Sequence, residues 1–207
     1  GVPQLPVNEN IKVVHTPSLL WHKESLLNNL IAELPAAYKY IFWVDADIIF
    51  TNKFWLYDGV AALKEKNLVQ PFEYCIPLEK DELRPSFNPD YYRHLANENN
   101  IEPNAVWRSF CANNVIKFNS HGHVGLAWGA RREVLDQVPL FDQALLGGAD
   151  HIMAHAAMGQ FLHDCIKFNA PANMDTIIAW SEKFYKAVDG QIGFVYGDIY
   201  HLWHGSL

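Results

Sequence analysis

Two hundred and seven residues carrying 16 Lys and Arg against 23 Asp and Glu leave a net charge of -7. Half of the residues are hydrophobic and 14% are aromatic, which excludes a disordered chain. The acidic balance argues against a duplex nucleic-acid binder, whose affinity rests on Lys and Arg at phosphates. A chain of this length makes about one domain. Its 3 cysteines, Cys75, Cys111 and Cys165, have neither a disulfide framework nor zinc-knuckle spacing and read as buried free thiols. No apolar run approaches the ~18 residues of a membrane helix and no signal peptide opens the chain, so a cytoplasmic location is expected.

The elements alternate almost from the start. A short β-branched strand is expected over 11–15, followed by a helix over 23–34, where Leu26, Leu27, Leu30, Ile31 and Leu34 form a stripe ahead of Pro35. Residues 40–44 are continuously apolar and read as a central buried strand. A helix over 54–66 and a strand region over 67–76 come next. Residues 77–120 hold Pro77, Pro85, Pro89 and Pro103 and read as a surface excursion with a short helix near 91–97. A strand over 124–128, helices over 131–138, 150–158 and 174–187, and a strand-like stretch over 192–203 complete the pattern. The order points to a single α/β domain with a mostly parallel sheet flanked by helices.

Asp45-Ala46-Asp47 directly follows the apolar run, beyond the carboxyl end of a strand, where open α/β sheets bind ligands. Two carboxylates so placed suit a hard divalent cation that bridges to phosphate oxygens, though a plain polar turn has the same composition. Gly147 and Gly148 allow close backbone approach and put Asp150 at a helix N-terminus, whose dipole favours the ionised carboxylate that a general base needs. A simple helix cap is the plainer account of the same residue. His201 and His204 close the chain beside Trp203, and an imidazole joins oxygen ligands readily on Mn²⁺. Strand alternation would put these two rings on opposite faces, so one ligand is expected, His201 before His204. His151 and His155 lie one helical turn apart, but Ile152 stands where the zinc-protease pattern needs Glu, so they read as a coincidence of helix face. Trp128, at a strand end beside Gly129, is the aromatic read as a sugar-stacking platform.

Taken together, these segments resemble the metal-dependent GT-A nucleotide-sugar glycosyltransferases of the inverting type. The similarity runs from about Trp21 to His204. Residues 21–28 are similar to the family's helix start, which puts Lys23 and Asn28 near the nucleotide. Residues 42–47 resemble the strand and DxD signature that holds Mn²⁺ or Mg²⁺ on the donor diphosphate, implying Asp45 and Asp47 in that role. Gly125 to Trp128, followed by Arg131, is similar to the segment lining the donor-sugar pocket. Gly147-Gly148-Ala149-Asp150 resembles the acidic motif whose carboxylate deprotonates the acceptor hydroxyl. The closing His-x-x-His-Gly is similar to the late histidine that completes the metal's coordination.

The resemblance implies a Rossmann-like GT-A domain and hexosyl transfer from a nucleoside-diphosphate sugar, UDP-linked foremost, to a glycan or other hydroxyl acceptor. It implies Asp150 as the base, Asp47 and a terminal histidine on the metal, and Asp45 orienting a metal water or the ribose. Two departures stand out. Only ten residues precede Ile11, too few for the nucleobase-binding strand and helix that open the family, so a truncated N-terminus is expected. The acidic motif also carries one acid where many inverting members have two. A metal-dependent hydrolase and a non-catalytic nucleotide- or glycan-binding domain are the competing readings.

Overall fold

The computed structural model describes residues 10–86, 88–90, 122–169 and 174–205. In chain order the elements are α1 (Lys23–Glu33), β1 (Tyr40–Val44), β2 (Ile48–Phe50), α2 (Trp55–Glu65), β3 (Leu68–Gln70), β4 (Tyr74–Pro77), β5 (Ala127–Arg131), α3 (Arg132–Gln137), α4 (Ala149–Ala157), α5 (Asp164–Asn169), α6 (Met174–Val188), β6 (Ile192–Phe194) and β7 (Asp198–His201). The chain is α/β, with mixed sheets and helices packed on them.

The expected mostly parallel sheet is replaced by two small mixed ones, ordered β1-β5-β3-β6 and β2-β7-β4 among the described residues. β5 runs antiparallel to both β1 and β3, and β2 runs antiparallel to β7. Only the β3–β6 and β4–β7 ladders are parallel. Strand direction depends on how the chain returns to the sheet, and apolar patterning does not record that. The same sheet order puts β1 at one end rather than at the centre, and its burial alternates: Ile41 and Trp43 are buried while Val44 is exposed. Residues 11–15 form no strand, and Val13 and Val14 are exposed. A β-branched run becomes a strand only where a neighbouring strand takes its backbone groups.

The helices expected over 23–34, 54–66, 131–138, 150–158 and 174–187 are present within a residue or two. The strand regions divide: 67–76 into β3 and β4, and 192–203 into β6 and β7. β2 and α5 were not anticipated; they span three and six residues, too short for a readable period. The short helix expected near 91–97 lies outside the described residues.

The main core packs α3, α4 and α6 on the first sheet around Trp43, Trp128, Met153 and Phe184. α4 is buried almost all round, and its four alanines let it lie closely against α6. A smaller cluster around Phe72, Cys75 and Ile199 sits under the second sheet. Phe42 projects from β1 into space left by two glycines, since a Cβ on Gly129 would lie 2.3 Å from its ring and one on Gly59 2.8 Å. No helix among the described residues is long and apolar enough to cross a membrane.

Candidate active site

Asp45-Ala46-Asp47 forms the turn between β1 and β2, at the point where the chain leaves one sheet for the other. Backbone bonds fix both ends of that turn: the Asp45 N–H donates to the Leu126 carbonyl at 2.8 Å, and the Asp47 carbonyl accepts the Leu202 N–H at 2.8 Å. One carboxylate therefore belongs to each sheet, and the two find different partners.

Asp45 faces Lys23, whose Nζ lies 2.7 Å from Asp45 Oδ1 and 3.3 Å from Asp150 Oδ2. Lys23 reaches this position because α1 is tied to the segment that leads into α4. The Trp21 N–H donates to the Leu145 carbonyl at 3.0 Å, and the Asn28 amide closes on the backbone of Leu140, donating to its carbonyl and accepting its N–H, both at 2.9 Å. Asn28 thus spends its amide on docking a helix, and the nucleotide contact expected of it would have to share that amide.

Asp150 stands in the first turn of α4, after Gly148 at the N-cap. Gly147 and Gly148 have φ of 93° and 87°, left-handed values that glycine adopts without strain. They form the sharp approach to the helix, and Asp150 is not its cap. Gly125 backs the carboxylate, since a Cβ there would lie 3.0 Å from Asp150 Oδ2. The adjoining Leu126 has φ of 76°, and the Ala127 N–H reaches the Gly125 carbonyl at 3.0 Å. That is a γ-turn with positive φ, a rare and strained conformation, held by the Asp45 N–H on one side and lying against the Asp150 carboxylate on the other.

The electrostatics of this group oppose one another. Burial raises the pKa of Asp150 above the ordinary carboxylate range, and the nearby Asp45 charge adds to this while Lys23 pulls it back. The dipole of α4 was expected to favour the ionised form, whereas the net direction is toward the protonated one, with desolvation the largest cause. Burial depresses the Lys23 ammonium, yet Asp150 and Asp45 together carry it above its ordinary value. Glu24, beside Lys23 on α1, is also raised, first by burial and then by Asp150. It lines a cavity of about 10 Å³ with Trp43, Leu140, Ala149 and Asp150, room for about one water. Sequence reading passed over Glu24, although an acid in the first turn of a helix next to Lys23 was visible.

Asp47 belongs to a second group. Its Oδ2 lies 3.4 Å from His201 Nε2, and the ligand atoms of Asp47, His201 and His204 all fall within 4.8 Å of one another. The expectation that one histidine at most would point here is corrected. β7 ends at His201, so alternation does not govern His204, and the two rings stand 5.0 Å apart. Asp45 is not in this group. Cys75 is buried nearby, its thiol pushed up to about 12 by burial with Asp47 contributing.

Two further expectations are corrected. Trp128 is 1% exposed, and its indole N–H donates to the Val124 carbonyl at 2.8 Å, so its ring is core and offers no face to a sugar. Arg131 pairs with Tyr40 at the far end of β1, whereas Val44 and Ala127 pair at the carboxylate end, about 13 Å away at strand rise. Its Nε donates to the carbonyls of Leu63 at 2.7 Å and Lys66 at 3.1 Å, closing the last turn of α2. With Lys39, Lys64 and Arg132 it lines a separate cavity of about 470 Å³. The structure thus brings together Lys23, Asp45, Gly125 and Asp150 in one group and Asp47, His201 and His204 in another. Comparison of the chain with protein-family models, with curated proteins and with solved structures returns no match.

Proposed function

We propose that this chain is a metal-dependent glycosyltransferase of the inverting GT-A type, moving a hexosyl group from a UDP-sugar or related nucleotide sugar to a hydroxyl of a glycan. The observation that carries the reading is the split of the Asp45–Asp47 turn, with one carboxylate against Lys23 and Asp150 and the other against two imidazoles.

The Asp47, His201 and His204 donor set fits a Mn²⁺-class cation, which accepts carboxylate and imidazole together, better than Mg²⁺. When bound, such an ion supplies positive charge for the leaving nucleoside diphosphate. Asp150 receives the proton of the acceptor hydroxyl as its oxygen attacks the anomeric carbon, and the bond to the diphosphate oxygen breaks with its electron pair. Attack opposite the leaving group inverts the centre. Burial that raises Asp150 makes it a stronger base than an exposed carboxylate. Lys23 holds Asp150 and Asp45 in register until donor and acceptor arrive.

Calorimetric titration of UDP with and without Mn²⁺ tests the donor half of this reading. Binding should require the ion and be lost in Asp47→Ala. Asp150→Asn should retain nucleotide binding and lose transfer by roughly 10²–10⁴-fold, the usual contribution of a general base. UDP binding indifferent to both Mn²⁺ and Asp47 would overturn the mechanism.

A further inference from the structure

α4 ends in a second cluster that the sequence disguises. His155 is in its last turn; the chain then turns through Gly159, and His163 and Cys165 follow at the start of α5. The spacing, seven residues and then one, matches no familiar ligand motif. In space, one ligand atom from each of His155, His163 and Cys165 lies within 4.8 Å of the others. His155 is fully buried and Cys165 is 1% exposed, while half-buried His163 leaves a route in from solvent.

The surroundings prepare His155 as a ligand. His155 Nδ1 lies 3.0 Å from Gln160 Oε1. An amide oxygen only accepts, so Nδ1 carries the proton and Nε2 the lone pair. A ligating histidine ordinarily has this arrangement, with its other ring nitrogen donating to a supporting acceptor. The support is local, because the Gln160 N–H donates back to the His155 carbonyl at 2.9 Å. His163 Nδ1 accepts the Cys165 N–H at 3.3 Å, a local bond that has to open before this imidazole can ligate.

We propose that His155, His163 and Cys165 are a second metal site, selective for Zn²⁺, that clamps the α4–α5 corner. Two imidazoles with one sulfur are a borderline-soft set that suits zinc and not the oxygen-seeking Mg²⁺ or Ca²⁺. The Cys165 thiol releases its proton to solvent as the S–metal bond forms. The two imidazoles are stacked, with centroids 4.1 Å apart and planes 16° from parallel. Parallel rings cannot both aim a lone pair at one ion, so half-buried His163 turns about its Cβ–Cγ bond on binding and gives up the Cys165 N–H. The site stands at the opposite end of α4 from Asp150, and its ion fixes the helix that carries that carboxylate.

Cobalt is the probe, used on the full chain freed of metal and in the Asp47→Ala background to silence the first site. The expected result is a thiolate-to-cobalt charge-transfer band that saturates at one ion per chain and is bleached by Zn²⁺. Cys165→Ser should abolish the band and Cys75→Ser should keep it, with circular dichroism showing both folded. His163→Gln, at the half-buried position, serves where Cys165→Ser fails to fold. Gln160→Ala should weaken cobalt binding about 10–100-fold, as loss of a supporting partner does. Zn²⁺ should raise the melting temperature of the Asp47→Ala chain and not of its Cys165→Ser derivative. A folded chain with no charge-transfer band in excess cobalt overturns the proposal, as does a band that survives Cys165→Ser.

Discussion

Lys23 on α1 and Asp150 on α4 stand 3.3 Å apart although 127 positions separate them along the chain, and the same ammonium touches Asp45 at 2.7 Å. A cation shared by two carboxylates of a half-buried group sets their positions, and it bears on the proton affinity of Asp150. Burial and the Asp45 charge favour the protonated form of Asp150, and Lys23 favours the ionised one.

The first prediction follows from that opposition. A general base works as the carboxylate, so transfer should rise with pH through the raised pKa of Asp150 and fall on the acid side of it. Lys23→Met removes the charge and the hydrogen bond that pull Asp150 down, so the acid limb of the kcat profile should move to higher pH. A profile whose limb stays in place would remove Asp150 as the titrating base.

Gly125 makes a steric prediction about the same carboxylate. A methyl group at this position would sit 3.0 Å from Asp150 Oδ2, and the carboxylate must give way by a few tenths of an ångström. If Asp150 is the base proposed above, Gly125→Ala should lower kcat while leaving nucleotide affinity near that of the parent, because it displaces the base and not the donor's partners. Misplacement on the order of 1 Å costs about 10²-fold, and this smaller shift should cost about tenfold. An unchanged kcat would show that the Asp150 position does not limit the reaction.

Asn28 separates a docking role from a ligand role. Its amide satisfies both backbone groups of Leu140, so Asn28→Ala strips a part-buried donor and acceptor together. The expected loss is about 2 kcal/mol of unfolding free energy in a denaturant titration. UDP affinity measured on the folded variant should be unchanged. A large loss of affinity with little loss of stability would return Asn28 to the nucleotide site.

How much of this was legible follows from what each signal encodes. The Asp45–Asp47 turn and Asp150 were visible because a carboxylate after an apolar strand, or after two glycines, is a local feature. The helices were visible because their apolar period is local as well. Strand direction was not, since β5 joins β1 antiparallel from a distant part of the chain. Trp128 and Arg131 misled for a shared reason: a strand end reads the same in sequence whether it faces the carboxylates or the core. Trp128 is buried and Arg131 lies at the wrong end of the ladder, and only the register with β1 distinguishes them. The His155 cluster stayed hidden because His163 and Cys165 come to it from beyond the Gly159 turn.

His201 and His204 provide the last prediction, which rests on where β7 stops. Because the strand ends at His201, the residues after it are free of alternation, and both rings converge on Asp47. If both are ligands, His201→Gln and His204→Gln should each weaken Mn²⁺ binding, followed by the spin-resonance signal of the free ion. Loss of a direct ligand should cost at least the ~10–100-fold that loss of a supporting partner does. The double variant should bind no better than Asp47→Ala. An effect confined to His201→Gln would reduce His204 to a ring that packs beside its neighbour, 5.0 Å away. An effect of neither would leave Asp47 without imidazole partners and overturn the proposed coordination.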